Sequence, residues 1–340
     1  MTRPPRLATG STIGVIAPSW CGPALAPHRV ERGTAFLESL GFRVVLAPHL
    51  FEERAWTAGT PEDRAQDLMQ FFLDPHIDAV WAAIGGDHAC HLLPHLNWSE
   101  IAAHPKVFIG YSDVTVLNVA IWTMTGMVTF NGPAVMDEIA EYPQPPEYAL
   151  RSLKRVLTEP MAPGCVEPAA EWTEEFLDWT IQADLTRPRK YERSLGWTAV
   201  RAGAAEGALF GGCLQSLEHL RGTRYFPPLN RLNGALWFWE VSGEDPSSPE
   251  WVDGVLQDYE NMGVLELLGG MLVGRPPNYS PKDKALLRAV ILERTERYGF
   301  PVITDMDFGH TAPQMTLPIG CRARMDGATG AFWLLESAVR

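Results

Sequence analysis

The chain has 340 residues, 46% of them hydrophobic, and a formal net charge of −13 at pH 7. That length supports a substantial core and two domains, and the acidic balance excludes a nucleic-acid backbone as partner, which needs clustered Lys and Arg. The five cysteines (Cys21, Cys90, Cys165, Cys213 and Cys321) are scattered without CxxC spacing, which excludes a disulfide framework and fits reduced thiols in a cytoplasmic protein.

The first ten residues, MTRPPRLATG, lack the apolar stretch of a signal peptide. Ser11 to Pro18 reads as a strand, His28 to Leu40 as a helix with Val30, Phe36, Leu37 and Leu40 apolar, and Phe42 to Ala47 as a second strand. A helix over Pro61 to Leu73 follows Thr60, a good N-cap with Pro at the first helical position. Ile77 to Ile84 is a third strand, stopped by Gly85-Gly86. His88, His91 and His95 have the spacing of one helix face, which suits a metal, but no carboxylate or Cys completes a site, and none is assigned. Val107 to Gly110 is a fourth strand, followed by Tyr111-Ser112-Asp113 and a helix to Thr125; Met127 to Phe130 is a fifth. The apolar window Val116 to Phe130 is interrupted by Asn118 and several Thr, so it reads as a buried helix running into a strand, not a membrane span. This alternation predicts an α/β fold whose N-terminal sheet is mostly parallel and covered on both faces.

From about Pro160 to Gly196 the pattern degrades into prolines, mixed charge, and Trp172 and Trp179, with Trp197 just beyond. We assign residues 1–165 to an N-terminal domain, 166–200 to a connection and 201–340 to a smaller mixed α/β domain. The second half has strand-like runs at Gly207 to Phe210, Ala235 to Trp239, Leu267 to Val273, Val302 to Thr304 and Thr316 to Ala323. Its helical runs are Leu214 to Arg221, Glu250 to Met262 and Lys282 to Tyr298.

The strongest chemical signal is Phe108-Ile109-Gly110-Tyr111-Ser112-Asp113-Val114. A serine on a tight strand-to-helix turn stands at the carboxyl edge of the sheet, where open α/β sheets place ligands. The backbone N–H groups that follow it lie at a helix N-terminus, suited to a developing oxyanion. The turn is not GxSxG, since Val114 stands where the second glycine belongs, and the same residues also read as a helix N-cap. Gly85-Gly86 lets backbone approach a ligand, or is a plain turn. Glu240 leaves the apolar strand Leu236 to Trp239, and His310 follows Gly309 after another strand. A serine needs a base to be nucleophilic at neutral pH, and the base needs a fixed tautomer. The three signals therefore gain meaning only together, in the order Ser, Glu, His.

Ile84-Gly85-Gly86, Leu92-Leu93-Pro94 and Gly110-Tyr111-Ser112-Asp113 resemble the LD-carboxypeptidase and microcin-immunity family. So do Gly211-Gly212, Phe238-Trp239-Glu240, Gly274-Arg275-Pro276, Phe308-Gly309-His310 and Leu317-Pro318-Ile319-Gly320, so that the likeness runs from about residue 11 to about 325. The resemblance implies a serine hydrolase without metal or cofactor, acting on a small peptide or aminoacyl compound and commonly a homodimer. Carried over by position, Ser112 attacks, His310 shuttles the proton, Glu240 holds the imidazole, and the N–H groups of Gly86 and Asp113 form the oxyanion hole. Gly85, Trp179, Cys213 and Glu244 are the candidate substrate contacts.

The family's murein-cutting members typically carry Arg where this chain has Ile84. The Ile-Gly-Gly form and the run Met262-Gly263-Val264-Leu265-Glu266 look more like the immunity (MccF-like) branch, expected to cleave the amide joining an aminoacyl group to a nucleotide analogue. Two positions depart from that branch: Cys213 replaces an expected Asn, and Glu244 an expected Lys. Losing an amide donor and reversing a charge weakens the fit to an anionic phosphate-linked substrate. The alternatives are a murein LD-carboxypeptidase releasing terminal D-Ala and, from another class, a non-catalytic protein that sequesters its ligand.

Overall fold

A computed structural model describes all 340 residues. The first sheet is built from Thr12–Ile16, Arg43–Leu46, Ala79–Ala82, Val107–Gly110 and Thr129–Asn131. These five strands pair in parallel, in the spatial order second, first, third, fourth, fifth. The first, third and fourth are buried along their whole length, as parallel strands covered by helices on both faces must be. The order reverses between the first and third strands, and that is where such a sheet opens a crevice at its carboxyl edge. The loops Pro18-Ser19-Trp20 and Gly85-Gly86 meet there, with the Trp20 N–H donating to the Gly85 carbonyl at 3.0 Å. Arg64 fastens both loops: its buried guanidinium donates to the carbonyls of Pro18 (2.6 Å) and His88 (3.0 Å).

The second sheet has eight strands. At its centre Ala204–Cys213, Leu236–Glu240, Gly270–Gly274 and Val302–Met306 run in parallel. Antiparallel strands extend it on both sides, Thr198–Arg201 beside Val302–Met306, and Arg322–Asp326, Ala331–Leu334 and Gly164–Val166 in turn beyond Ala204–Cys213. The mixed α/β class is as the sequence indicates, with eight strands in this sheet and six in the first.

Most expected elements form within a few residues of their positions, and Pro61–Leu73, Val107–Gly110 and the helix ending at Thr125 match to the residue. One expectation is overturned. The single strand read over Thr316 to Ala323 is two: Leu317–Ile319 pairs antiparallel with the edge of the first sheet, and Arg322–Asp326 belongs to the second. Gly320, at φ +94°, turns the chain between them, and a period-2 pattern cannot distinguish one strand from two that change sheets. The 160–196 stretch is also more than a connection. Gly164–Val166 is an edge strand, Glu171–Trp172 and Glu192–Arg193 form a hairpin, and Thr173 exchanges two backbone hydrogen bonds with Ala312.

The helix Val114–Thr125 passes between the sheets. The Thr115 hydroxyl accepts the Cys213 N–H at 3.0 Å, and Trp122 stacks on Phe210 with ring centroids 6.1 Å apart. One contiguous apolar core therefore joins the two halves. No helix is long and apolar enough to cross a membrane. At the start of Pro61–Leu73 the Thr60 hydroxyl accepts from the Asp63 N–H (3.1 Å), and the Asp63 carboxylate accepts from the Thr60 N–H (2.9 Å). Thr60→Ala leaves the Asp63 N–H unpaired and should lower the unfolding free energy by about 1 kcal/mol, read from urea titration; an unchanged midpoint would mean that the cap contributes nothing.

Candidate active site

The carboxyl ends of the two sheets share a cleft of about 560 Å³. Val107–Gly110 delivers Ser112 to it through a tight turn that enters the helix from Val114. Ser112 has φ +60°, a conformation disfavoured for any side chain and tolerated where the surroundings impose it. The strand pins the chain before the serine, and the helix, buried from Val114 to Trp122, pins it after. Gly85 lies directly against the turn: a Cβ there would sit 2.9 Å from Ser112 Oγ and 3.2 Å from the Asp113 N. Any side chain at 85 would crowd the hydroxyl. The N–H groups of Gly86 and Asp113 serve in no backbone hydrogen bond. The Asp113 carboxylate is buried and accepts the Ala89 N–H at 2.7 Å; burial raises its pKa.

The second sheet supplies Glu240 and His310. Glu240 ends the strand Leu236–Glu240 and is almost wholly buried. Gly309, at φ +98°, makes room for it: a Cβ there would fall 2.4 Å from Glu240 Cγ. His310 follows at once. Its Nδ1 lies 2.8 Å from Glu240 Oε2 and its Nε2 3.0 Å from Ser112 Oγ. The turn carrying His310 is held by the buried pair Arg275–Asp307 at 2.8 Å. Asp307 also accepts from the Ala169 N–H (2.8 Å) and the Trp197 indole (2.7 Å). This gives Gly274-Arg275-Pro276 a structural reason, since Arg275 orients the histidine loop from the neighbouring strand.

Burial alone would depress the His310 pKa, but the charge and hydrogen bond of Glu240, with weaker fields from Asp137 and Glu244, outweigh it and raise the value above the ordinary 6.5. Tyr111 packs its ring 5.1 Å from the imidazole and donates its hydroxyl to Asp137. Burial and the Asp137 charge push that phenol far upward, so it stays a donor.

Of the residues singled out from the sequence, Ser112, His310, Gly85, Gly86, Trp179, Cys213 and Glu244 line the cleft; Asp113 and Glu240 stand behind it. Cys213 is the register partner of Glu240 on the adjacent strand. Its buried thiol is held neutral, first by desolvation and then by the Glu240 charge. The donor atoms of Cys213, Glu240 and His310 lie within 4.8 Å of one another, a grouping with metal-ligand chemistry that the sequence did not suggest. The histidine triplet expected on one helix face does not converge. Ala89–His95 is a 3-10 helix; His88 and His91 face each other at 5.2 Å, while His95 lies 3.7 Å from Glu62. Among the three tryptophans, Trp179 alone reaches the cleft, under the Arg29 guanidinium at 4.5 Å. Trp172 is covered by Arg275 and Lys284, and Trp197 is bound to Asp307. Sequence reasoning missed Asp137, Glu138, Arg189, Gln215, Thr311 and Gln314, all of which line the cleft. Asp137 and Glu138 sit just past the fifth strand of the first sheet, the same edge that carries Ser112, and that placement was the available signal.

The LD-carboxypeptidase N-terminal domain model matches residues 13–132, and the LD-carboxypeptidase C-terminal domain model matches residues 206–325. The chain is similar to the microcin C7 self-immunity protein MccF of Escherichia coli, at 30% identity over 323 residues covering 94% of this chain and 92% of that protein. It is also similar to a probable murein peptide carboxypeptidase of Bacillus subtilis (strain 168), at 31% identity over 329 residues, 96% of this chain and 92% of that one. A solved structure of MccF in complex with aspartyl sulfamoyl adenosine superposes with a TM-score of 0.89 at 27% identity, covering both chains fully.

In a histidine-specific NMR titration His310 should titrate above 6.5, and Glu240→Gln, which removes the charge, should bring the value below that of the wild type. Because the folded value is raised, this coupling stabilises the fold fully below about pH 6.5 and is lost as pH climbs through the folded pKa. An imidazole unaffected by the substitution would contradict the pairing.

Proposed function

The chain belongs to the LD-carboxypeptidase family, and we propose from that premise that Ser112, His310 and Glu240 act as the catalytic triad of an MccF-like serine hydrolase in the cytoplasm. Its substrate on this reading is a compound in which an aminoacyl or peptidyl group is joined by an amide to a nucleotide-like leaving group, and its role is self-immunity or detoxification. The observation that carries the reading is the hydrogen-bonded line Ser112 Oγ–His310 Nε2 and His310 Nδ1–Glu240, at 3.0 and 2.8 Å.

His310 Nε2 takes the Ser112 proton as Oγ bonds to the acyl carbon. Glu240 holds the Nδ1–H tautomer and offsets the imidazolium charge. The N–H groups of Gly86 and Asp113 receive the oxyanion, at a helix N-terminus that favours negative charge. Collapse breaks the C–N bond, with His310 returning its proton to the leaving nitrogen. Water then attacks the acyl-serine by the same route and frees the acid and Ser112.

The N-terminal domain of residues 1–165 carries the nucleophile and the domain of residues 201–340 supplies Glu240 and His310, with Trp179 from the 166–200 segment forming part of the cleft wall. Cys213 and Glu244 set this chain's specificity apart. Cys213 offers a neutral thiol beside Gln215 (Sγ to Oε1, 3.4 Å), and Glu244 is exposed at the rim. The reading includes a homodimer, for which the exposed Phe176, Ile181 and Leu195 supply apolar surface. Light scattering should return twice the chain mass; a monomer mass contradicts this part.

Mass spectrometry after incubation with an aspartyl-sulfamoyl adenosine and, separately, a murein L,D-tetrapeptide tests the reading. Wild type should cut the first, and Ser112→Ala should abolish turnover while keeping the fold. His310→Ala should cost nearly as much, and Glu240→Gln on the order of 10⁴-fold in rate. Cleavage of the tetrapeptide alone would assign wall recycling instead; turnover persisting in Ser112→Ala would overturn the nucleophile.

A further inference from the structure

One end of the cleft, beyond His310, carries oxygen atoms that nothing in the protein satisfies. Glu138, Thr311 and Gln314 each line the cleft and are 1%, 3% and 1% exposed. Glu138 Oε1, Thr311 Oγ1 and Gln314 Oε1 have no hydrogen-bond partner. The three are tied together: Thr311 follows His310 directly, and the Gln314 N–H donates to the other Glu138 oxygen at 3.2 Å. Buried acceptors without donors are costly, and those retained in a cleft call for a donor from outside.

The charge around them selects the donor. Asp137 receives the Tyr111 hydroxyl, and Glu141 is ion-paired with Arg189 at 2.5 Å. Arg189 lies beside three carboxyls (Asp137, Glu138 and Glu141), which together raise its pKa against the lowering effect of its burial, and the nearby Arg29 guanidinium is itself paired with Asp184. Negative charge is therefore in surplus. We propose that the Glu138–Thr311–Gln314 lobe binds a primary ammonium group of the substrate, whose three N–H bonds match three acceptors.

The Glu138 carboxyl supports the assignment. Burial first, and the Asp137 charge second, hold it well above the usual carboxylate range. An entering ammonium favours the ionised form. The ammonium is either the free α-amine of the aminoacyl group or an amine on its side chain, and the two share this chemistry.

The proposal rests on the hydrolase reading, so its test reads binding as well as turnover. Two matched pairs separate the sources: alanyl- against N-acetylalanyl-sulfamoyl adenosine for the α-amine, and lysyl- against norleucyl-sulfamoyl adenosine for the side chain. Wild type should prefer the ammonium-bearing member of at least one pair by about tenfold or more in kcat/KM, carried by KM, as a charge-assisted hydrogen bond implies. Glu138→Gln should remove most of that preference, and Thr311→Val should reduce it, which keeps the test open if Glu138→Gln misfolds. The same pairs are titrated calorimetrically against Ser112→Ala. A preference in Kd there supports the lobe even if no compound is turned over, the outcome that would instead sink the hydrolase reading. Equal binding within both pairs, no binding of any member, or a preference undiminished in the folded variants overturns the ammonium site.

Discussion

Everything at the site depends on one imidazole reaching two sheets at once. Ser112 is delivered by the first sheet and Glu240 by the second, and His310 must lie within hydrogen-bond reach of both. Neither partner can shift by much more than a few tenths of an ångström without breaking the line. The fold answers with a shared core rather than a hinge. The helix leaving Ser112 docks on the strand that ends at Cys213, the register partner of Glu240, and Leu317–Ile319 returns from the C-terminal half to close the edge of the first sheet. The strain at Ser112 is sustained because buried strand and buried helix fix the chain on either side of it.

The electrostatics follow from the same burial. Glu240 stands behind the cleft and shares its charge with His310, so the imidazole is more basic than in water. The same carboxylate, together with desolvation, suppresses the Cys213 thiol. A nucleophilic role for that cysteine is thereby disfavoured, since the thiolate is the reactive form. The cleft is otherwise rich in carboxylates, with Glu244 at its rim and Glu138 at its far end. Relatives with an amide and an ammonium at the positions of Cys213 and Glu244 would present a different field to the same triad.

Much of this was legible in the sequence because the chemistry sits where periodicity is strongest. Strands such as Val107–Gly110 and Leu236–Glu240 are short, continuous apolar runs, and their carboxyl ends announce Ser112 and Glu240. His310 was legible only through motif order, since a loop histidine has no periodic signature. What failed was anything decided by tertiary pairing. Gly320 reads as a residue inside a strand, yet it marks the change from one sheet to the other. The polar stretch around Trp179 reads as a linker, yet Thr173 is laddered to Ala312 and Trp179 is pinned by Arg29, contacts more than a hundred residues apart in sequence. Glu138 and Gln314 could not be found from sequence because their significance lies in lacking partners, which only the packed structure reveals.

The claim that the line from Ser112 to Glu240 activates the serine can be tested without knowing the substrate. The protein is treated with diisopropyl fluorophosphate, and the adduct is located and timed by intact-mass and peptide mass spectrometry. The account predicts one adduct, on Ser112, forming faster as pH rises through the raised His310 pKa and slowed severely in His310→Ala. Modification at another residue, or at an equal rate in His310→Ala, would contradict it.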